Sequence, residues 1–355
     1  MGEKVLMKGN EAIGEAAIRS GCRHFFGYPI TPQTELSAYM AKKMPKIGGT
    51  FLQAESEVAA INMVYGAAAA GARAMTSSSS PGISLKSEGI SYIAAGDLPA
   101  VIVNIMRGGP GLGGIQPAQS DYFQATRGGG HGDYHLIVLA PNSVQEMASF
   151  TAEAFNLADE YRIPVMLLGD GTLGQMMEPV DFDLIPEPVE AVKDWALTGS
   201  NNEREANCVK TLYLTPSELE DTVIERYKKY ETVKENLQRY AAHDTEDADI
   251  IISAYGITSR VVETAAKQLR AEGIKVGVIR PITLWPFPEK AYKAVNPKAY
   301  LSVEMSMGQM VEDIKLACEC KAPVYFTGRT GGIIPSPDEV IAKVKEIAAE
   351  VGING

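Results

Sequence analysis

Four short stretches of the chain carry side chains able to do chemistry. Glu57 heads the run Glu57-Val58-Ala59-Ala60-Ile61-Asn62-Met63-Val64-Tyr65-Gly66, which reads as a helix packed with small residues. A glutamate in a first helical turn ordinarily complements the positive end of the helix dipole; the same carboxylate is also a hydrogen-bonding group for a ligand. Arg107 follows a strand-like run, and its planar fork suits a carboxylate bidentately in a way a lysine does not. Without a ligand it reads as a surface arginine at a strand end. Thr31-Pro32 predicts a helix cap followed by proline at the first helical position. Ser78, Ser79 and Ser80 offer hydroxyl donors, in a serine-proline-glycine stretch whose ordinary use is a turn.

Other motifs promise more than they deliver. Gly109-Pro110-Gly111-Leu112-Gly113-Gly114 satisfies G-x-G-x-x-G after a strand, but Pro110 interrupts the turn and Ile115-Gln116-Pro117 continues as loop. A dinucleotide fingerprint needs a helix to begin within the glycines, so the stretch reads instead as a loop that closes over a ligand. His131 and His135 lie four apart in a glycine-rich loop and share no helix face, which leaves them unassigned. Cys22, Cys208, Cys318 and Cys320 form no CxxC pair, so the chain is expected to bind no iron–sulfur cluster or structural zinc of its own.

These residues need a scaffold, and the composition allows one. The 355 residues are 45% hydrophobic and 22% charged, an ordinary globular mixture long enough for about two domains. A net charge of -11 has the wrong sign for generic nucleic-acid binding. No apolar stretch approaches the roughly 18 residues of a membrane span. Met1-Gly2-Glu3-Lys4-Val5-Leu6 carries no signal-peptide pattern, and the expectation is a cytoplasmic protein.

Helical and strand-like runs alternate over residues 10–161, the pattern of an α/β parallel sheet. Strands are expected at 24–28, 50–54, 73–77, 100–106, 136–139 and 165–168. Helices are expected after an Asn10 cap, from Thr31-Pro32, over 56–71 and over 144–161. Prolines and acidic residues after Gly169 read as a linker or surface strap, followed by a charged surface helix over 217–242. A second α/β unit begins near 248, with strands at 249–253, 276–279, 299–303 and 324–326 and helices over 259–272 and 337–351. The division is thus 1–180, a linker with a surface helix over 181–247, and 248–355.

The E-x-A-A spacing from Glu57, with Gly27-Tyr28-Pro29-Ile30-Thr31-Pro32, Ser77 to Gly82 and Met106-Arg107-Gly108-Gly109-Pro110-Gly111 at strand ends, resembles the 2-oxoacid:ferredoxin oxidoreductases. The subunit it resembles is the one with the pyrimidine-binding domain of thiamine-diphosphate enzymes. The resemblance covers nearly the whole chain, because Arg280-Pro281-Ile282 and Glu304-Met305-Ser306-Met307-Gly308-Gln309 look like the family's second, transketolase C-terminal-like α/β domain. Ser77 to Lys86 and Gly111 to Pro117 are most similar to the branched-chain, 2-oxoisovalerate type.

The resemblance implies that Glu57 hydrogen-bonds the ring nitrogen of the aminopyrimidine and favours the tautomer that removes the thiazolium C2 proton. Arg107 would lie on the substrate side and Thr31 near the 2-oxo group, and Pro29, Ile30, Ser78, Ser79 and Ser80 would surround the cofactor. Gly169-Asp170-Gly171 with Asn201-Asn202 only imitates a magnesium and diphosphate motif, since no strand leads into Asn201 and prolines fill the gap. Asp170 therefore reads as structural. Magnesium and the diphosphate site are expected from a diphosphate-binding partner subunit, and the clusters from a ferredoxin-like iron–sulfur subunit, with a gamma-type subunit completing the complex. Ferredoxin would accept the electrons and coenzyme A the acyl group. The 2-oxoglutarate type stays open because Arg127 could meet a second carboxylate, and a noncatalytic assembly subunit is the reading from outside enzymology.

Overall fold

A computed structural model describes residues 4–353 of the chain. Its first half runs β1 (Lys4–Lys8), α1 (Gly9–Arg19), β2 (His24–Gly27), α2 (Thr34–Lys43), β3 (Thr50–Gln53), α3 (Glu57–Ala69), β4 (Ala74–Ser78), α4 (Pro81–Ala95), β5 (Val101–Met106), α5 (Tyr122–Thr126), β6 (Ile137–Leu139), α6 (Val144–Tyr161), β7 (Val165–Asp170), α7 (Gly171–Gln175) and β8 (Met177–Asp181). The second runs α8 (Pro216–Asn236), β9 (Tyr240–His243), β10 (Ile250–Ser253), α9 (Gly256–Ala271), β11 (Val276–Pro281), β12 (Thr283–Trp285), α10 (Glu289–Lys293), β13 (Ala299–Glu304), α11 (Met310–Ala317), β14 (Val324–Gly328) and α12 (Pro337–Glu350).

Every residue of β4, β5, β6 and β7 is buried, as apolar strands covered by helices on both faces should be. They form the middle of a seven-stranded sheet ordered β12-β6-β7-β5-β4-β2-β3. Its pairs are parallel except for β12, which runs antiparallel to β6. The C-terminal ends of β2, β3, β4, β5 and β7 therefore share one edge, the edge at which open α/β sheets bind ligands. A second sheet, ordered β14-β13-β10-β11-β9, is parallel apart from β9. Helix starts follow their caps: Ser56, Ser143 and Ser336 each accept a main-chain N–H of the first turn.

Several boundaries differ from expectation. The cap of α1 is Lys8, while Asn10 lies inside the helix, buried, with Nδ2 donating to the Pro32 carbonyl at 2.8 Å and to Glu35 at 3.2 Å. Thr31-Pro32 is a cis peptide bond and does not open α2, whose cap is Gln33; the chain must first turn around the strand-end edge. The serine stretch splits, with Ser77 and Ser78 ending β4 and Pro81 opening α4, a helix the turn reading missed. The surface helix stops at Asn236, because Tyr240–His243 pairs with β11 instead. β1 and β8, neither expected, form a separate antiparallel ribbon.

Residues 185–215 contain no helix or strand and run as a strap over the far ends of α3 and α6. Leu197 N donates to the Ala69 carbonyl at 2.9 Å, and Lys193 pairs with Asp159 at 2.6 Å. The segment after residue 248 is locked to the first sheet by β12 and by Gln119. That fully buried side chain donates to the Tyr255 carbonyl at 2.8 Å and accepts from Met305 N and Thr258 Oγ1, each at 3.0 Å. No helix among the described residues is long and apolar enough to cross a membrane.

Candidate active site

Ser56 fixes the head of α3 by accepting the Ala59 N–H at 3.1 Å. Glu57, the first helical residue, is thereby presented at the strand-end edge, 7% exposed. Its neighbour across the cleft is Gly82 of α4, where a Cβ would run into Ser78 Oγ and lie 2.9 Å from Glu57 Oε1. Only glycine leaves this space. The Glu57 carboxylate takes no hydrogen bond from any described side chain, and the buried hydroxyls of Ser78 and Ser79 have no partner either. Buried polar atoms ordinarily find partners, so the orphaned Ser78 hydroxyl and the Glu57 carboxylate, which meet at Gly82, form a cleft able to hydrogen-bond a ligand.

Arg107 is where expectation and geometry part. Its buried guanidinium donates from Nη1 to the Thr31 carbonyl and from Nη2 to the Leu112 carbonyl, both at 2.9 Å, leaving Nε without a partner. The fork thus ties the loop after β2 to the glycine loop after β5. Thr31 itself is exposed with Pro29, and Ile30 is half-buried, so all three lie on the cleft's outer loop.

Ser80 differs from its neighbours. Its Oγ donates to Asp121 at 2.6 Å and accepts the Arg107 N–H at 3.0 Å, while its own N–H donates to Asn104 Oδ1 at 3.1 Å. Asn104 Nδ2 also donates to Asp121 at 3.0 Å. Ser80 is therefore occupied in joining β4, β5 and the Asp121 loop, and Ser78 and Ser79 are the free members of the three. Asp121 and Asn104 escaped the sequence reading, since neither sits in a motif. Burial raises the Asp121 pKa, against the lowering effect of the Ser80 and Asn104 hydrogen bonds. Lys86 also escaped it, fully buried on α4 with Nζ 3.5 Å from the Glu57 carbonyl.

The glycine loop contains no helix start, and the next helix is α5. The two loop histidines separate: His131 is exposed, whereas His135 stacks on Trp285 with ring centroids 4.5 Å apart. Burial, with the Lys234 charge, lowers the His135 pKa to about 4. Among the described residues, no group of three or more His, Cys, Asp or Glu could hold a metal ion.

Asp170 caps α7, accepting from Thr172 N at 2.9 Å and Leu173 N at 3.1 Å, and reaches Ile257 N at 3.3 Å. Burial raises its pKa from 3.8 to about 6, although those hydrogen bonds oppose the shift. The folded state therefore binds this proton more tightly than the unfolded chain. Its contribution to stability is complete below about pH 4 and is lost as pH rises through about 6, a change of about 3 kcal/mol. Thermal or denaturant unfolding of wild type and Asp170→Asn across this range should show the wild-type advantage shrinking as pH rises. A difference independent of pH would contradict the assignment.

The family described as pyruvate flavodoxin/ferredoxin oxidoreductase, thiamine diphosphate-binding, matches residues 15–256, and pyruvate:ferredoxin oxidoreductase core domain II matches residues 248–340. The chain is 51% identical over 352 residues to the ketoisovalerate oxidoreductase subunit VorB of Methanothermobacter marburgensis, covering 97% of this chain and 98% of that one. It is 37% identical over 385 residues to the 2-oxoglutarate synthase subunit KorA of Methanothermobacter thermautotrophicus, covering 96% and 98%. Among solved structures it is similar to a 2-oxoglutarate:ferredoxin oxidoreductase from Magnetococcus marinus with 2-oxoglutarate, coenzyme A and succinyl-CoA bound. The TM-score is 0.88 and the identity 31%, over 97% of this chain and 65% of that one, so this chain spans about two thirds of that protein's length. With a glutamate-headed helix at the strand-end edge and matches running almost end to end, the chain belongs to the 2-oxoacid:ferredoxin oxidoreductase family.

Proposed function

We propose that the chain is the pyrimidine-binding subunit of a thiamine-diphosphate-dependent complex that oxidatively decarboxylates branched-chain 2-oxoacids, 2-oxoisovalerate foremost, to acyl-CoA with reduction of ferredoxin. The observation that carries this reading is Glu57, 7% exposed, whose carboxylate meets the unpartnered Ser78 hydroxyl at Gly82, in a chain half identical from end to end to a ketoisovalerate oxidoreductase subunit.

These residues fit a flat, polar heterocycle. Glu57 would accept from the protonated ring nitrogen, and Ser78 and Ser79 would hydrogen-bond around the ring. When bound, thiamine diphosphate supplies the electron sink for breaking the carboxyl bond of a 2-oxoacid. The chain's own share is placement: Gly82 keeps the wall thin, Ser56 fixes the helix start, and Arg107 holds the Thr31 loop against the glycine loop. A 2-oxoacid carboxylate would meet the open Nε side of Arg107, with Thr31 near its 2-oxo oxygen. The diphosphate and magnesium site is assigned to one partner subunit and the iron–sulfur clusters to a ferredoxin-like one, alongside a gamma-type subunit and coenzyme A.

Arg127 bears on the substrate. It pairs with Asp313 of α11 at 2.9 Å and lies over the Phe123 ring, so its charge already has a carboxylate partner within the chain. Initial rates of the complex purified with its partner subunits, using ferredoxin as acceptor, test the proposal. The expected kcat/KM is at least about tenfold higher for 2-oxoisovalerate than for 2-oxoglutarate. A reversed preference would overturn the substrate assignment, and bound cofactor with no turnover on any 2-oxoacid would favour an assembly subunit.

A further inference from the structure

Ser80, which links the unpartnered Ser78 and Ser79 to α4, has φ +20°. Residues other than glycine rarely adopt such a backbone, and one persists only where its surroundings over-determine it. Three groups do so here. Asp121 accepts the Ser80 hydroxyl at 2.6 Å, Asn104 Oδ1 accepts its N–H at 3.1 Å, and the Arg107 N–H donates to the same hydroxyl at 3.0 Å. Asn104 belongs to β5 and Arg107 follows it directly, so the buried sheet fixes both. Asp121 lies instead on the loop before α5, and a loop must itself be held.

The hold comes from beyond residue 248. Gln119 N donates to the Met305 carbonyl at 2.8 Å, and the Tyr122 hydroxyl donates to Asp313 at 2.6 Å. Gln309 brackets Asp121 itself: its Nε2 donates to the Ser120 carbonyl and its Oε1 accepts the Phe123 N–H, each at 2.8 Å. One planar amide thus spans the main chain on both sides of Asp121. Gln309 is fixed in turn, because its N–H donates at 2.9 Å to the fully buried carboxylate of Glu304. That carboxylate also accepts the Ser302 and Ser306 hydroxyls and the N–H groups of Met310 and Val311. Gln119 and Tyr122 already join the two halves of the chain; Gln309 adds the placement of the residue between them.

We propose that Gln309 is a positioning residue for the cofactor cleft: it clamps the main chain on both sides of Asp121, so that the Asp121 carboxylate holds Ser80 in its unusual backbone and sets Ser78 and Ser79 in place for the ring. The inference rests on the reading of those two hydroxyls as cofactor-binding. Through this clamp the second half of the chain bears on a cleft built from the first.

Calorimetric titration of the cofactor-free complex, assembled with its partner subunits, with thiamine diphosphate and Mg2+ tests this. Gln309→Met keeps the length of the side chain and loses both hydrogen bonds, and it should raise the cofactor Kd about five- to tenfold. Asp121→Ala should raise it at least as much. Adding Gln309→Met to Asp121→Ala should raise it no further, because the glutamine acts through that carboxylate. Where the methionine variant fails to assemble, Gln309→Glu, which keeps the Phe123 bond and loses the one to Ser120, should shift Kd in the same direction. Asp121→Asn stands in for the alanine variant, and on that background the added effect of Gln309→Met should shrink. A wild-type Kd in the Gln309 variants overturns the proposal. Effects that multiply in the double variant overturn it too, since they mark a glutamine that merely joins the two halves. Replacing Ser78 and Ser79 together by alanine separates the two readings: weaker binding there with none in the Gln309 variants sinks the clamp alone, whereas wild-type binding there sinks the reading of the cleft.

Discussion

Glu57→Ala lowers turnover of the assembled complex by about 10²- to 10⁴-fold, the range that a positioned proton-transfer group contributes. The fold should survive. The Glu57 carboxylate takes no hydrogen bond from a described side chain, the Ser56 cap is untouched, and the main-chain carbonyl that meets Lys86 remains in alanine. With no side-chain hydrogen bond lost, unfolding free energy should not drop by more than about 1 kcal/mol. Steady-state rates, C2 proton exchange of the bound cofactor and thermal melts check the three parts together. Exchange and turnover within about tenfold of wild type would leave Glu57 only its helix-dipole role.

Arg107→Ala is expected to have the second-largest effect. Two charge-assisted hydrogen bonds disappear, each worth about 1.5–3 kcal/mol. The larger consequence is loss of register between the loops that flank the cleft, since small displacements of positioning groups can cost about 10²-fold. We expect kcat/KM for 2-oxoisovalerate to fall by at least that factor. Arg107→Lys should recover little of it, because a single ammonium cannot span both carbonyls as the fork does. A fully active lysine variant would show that the charge alone suffices and that the two-loop tie is incidental.

The strands of the first sheet were legible because their buried runs are short, apolar and separated by helical patterns, and Glu57 was legible because it heads one of those helices. Proline was the unreliable signal. At Thr31-Pro32 it suggested a helix start that the chain postpones to Thr34, while at Pro81 it truly opens α4 and was masked by four serines that read as a turn. Tyr240–His243 looked like a continuation of α8, and only pairing with β11, invisible in local sequence, makes it a strand.

The site was legible in its motifs and opaque in its wiring. Ser78, Ser79 and Ser80 are chemically alike, and only the positions of Asp121 and Asn104 decide that Ser80 is occupied and the others free. Arg107 suggested a ligand carboxylate, whereas its donors at Nη1 and Nη2 are taken by main chain from two loops. Lys86 left no signal, because a lysine in a helix is ordinarily solvated.

The most direct measurement is a density map of the complex, assembled with its partner subunits and loaded with thiamine diphosphate. The account predicts a Glu57 carboxylate oxygen at hydrogen-bond distance, about 2.6–3.2 Å, from the aminopyrimidine ring nitrogen. A Glu57 side chain turned to solvent, or another residue's carboxylate at that nitrogen, would contradict it.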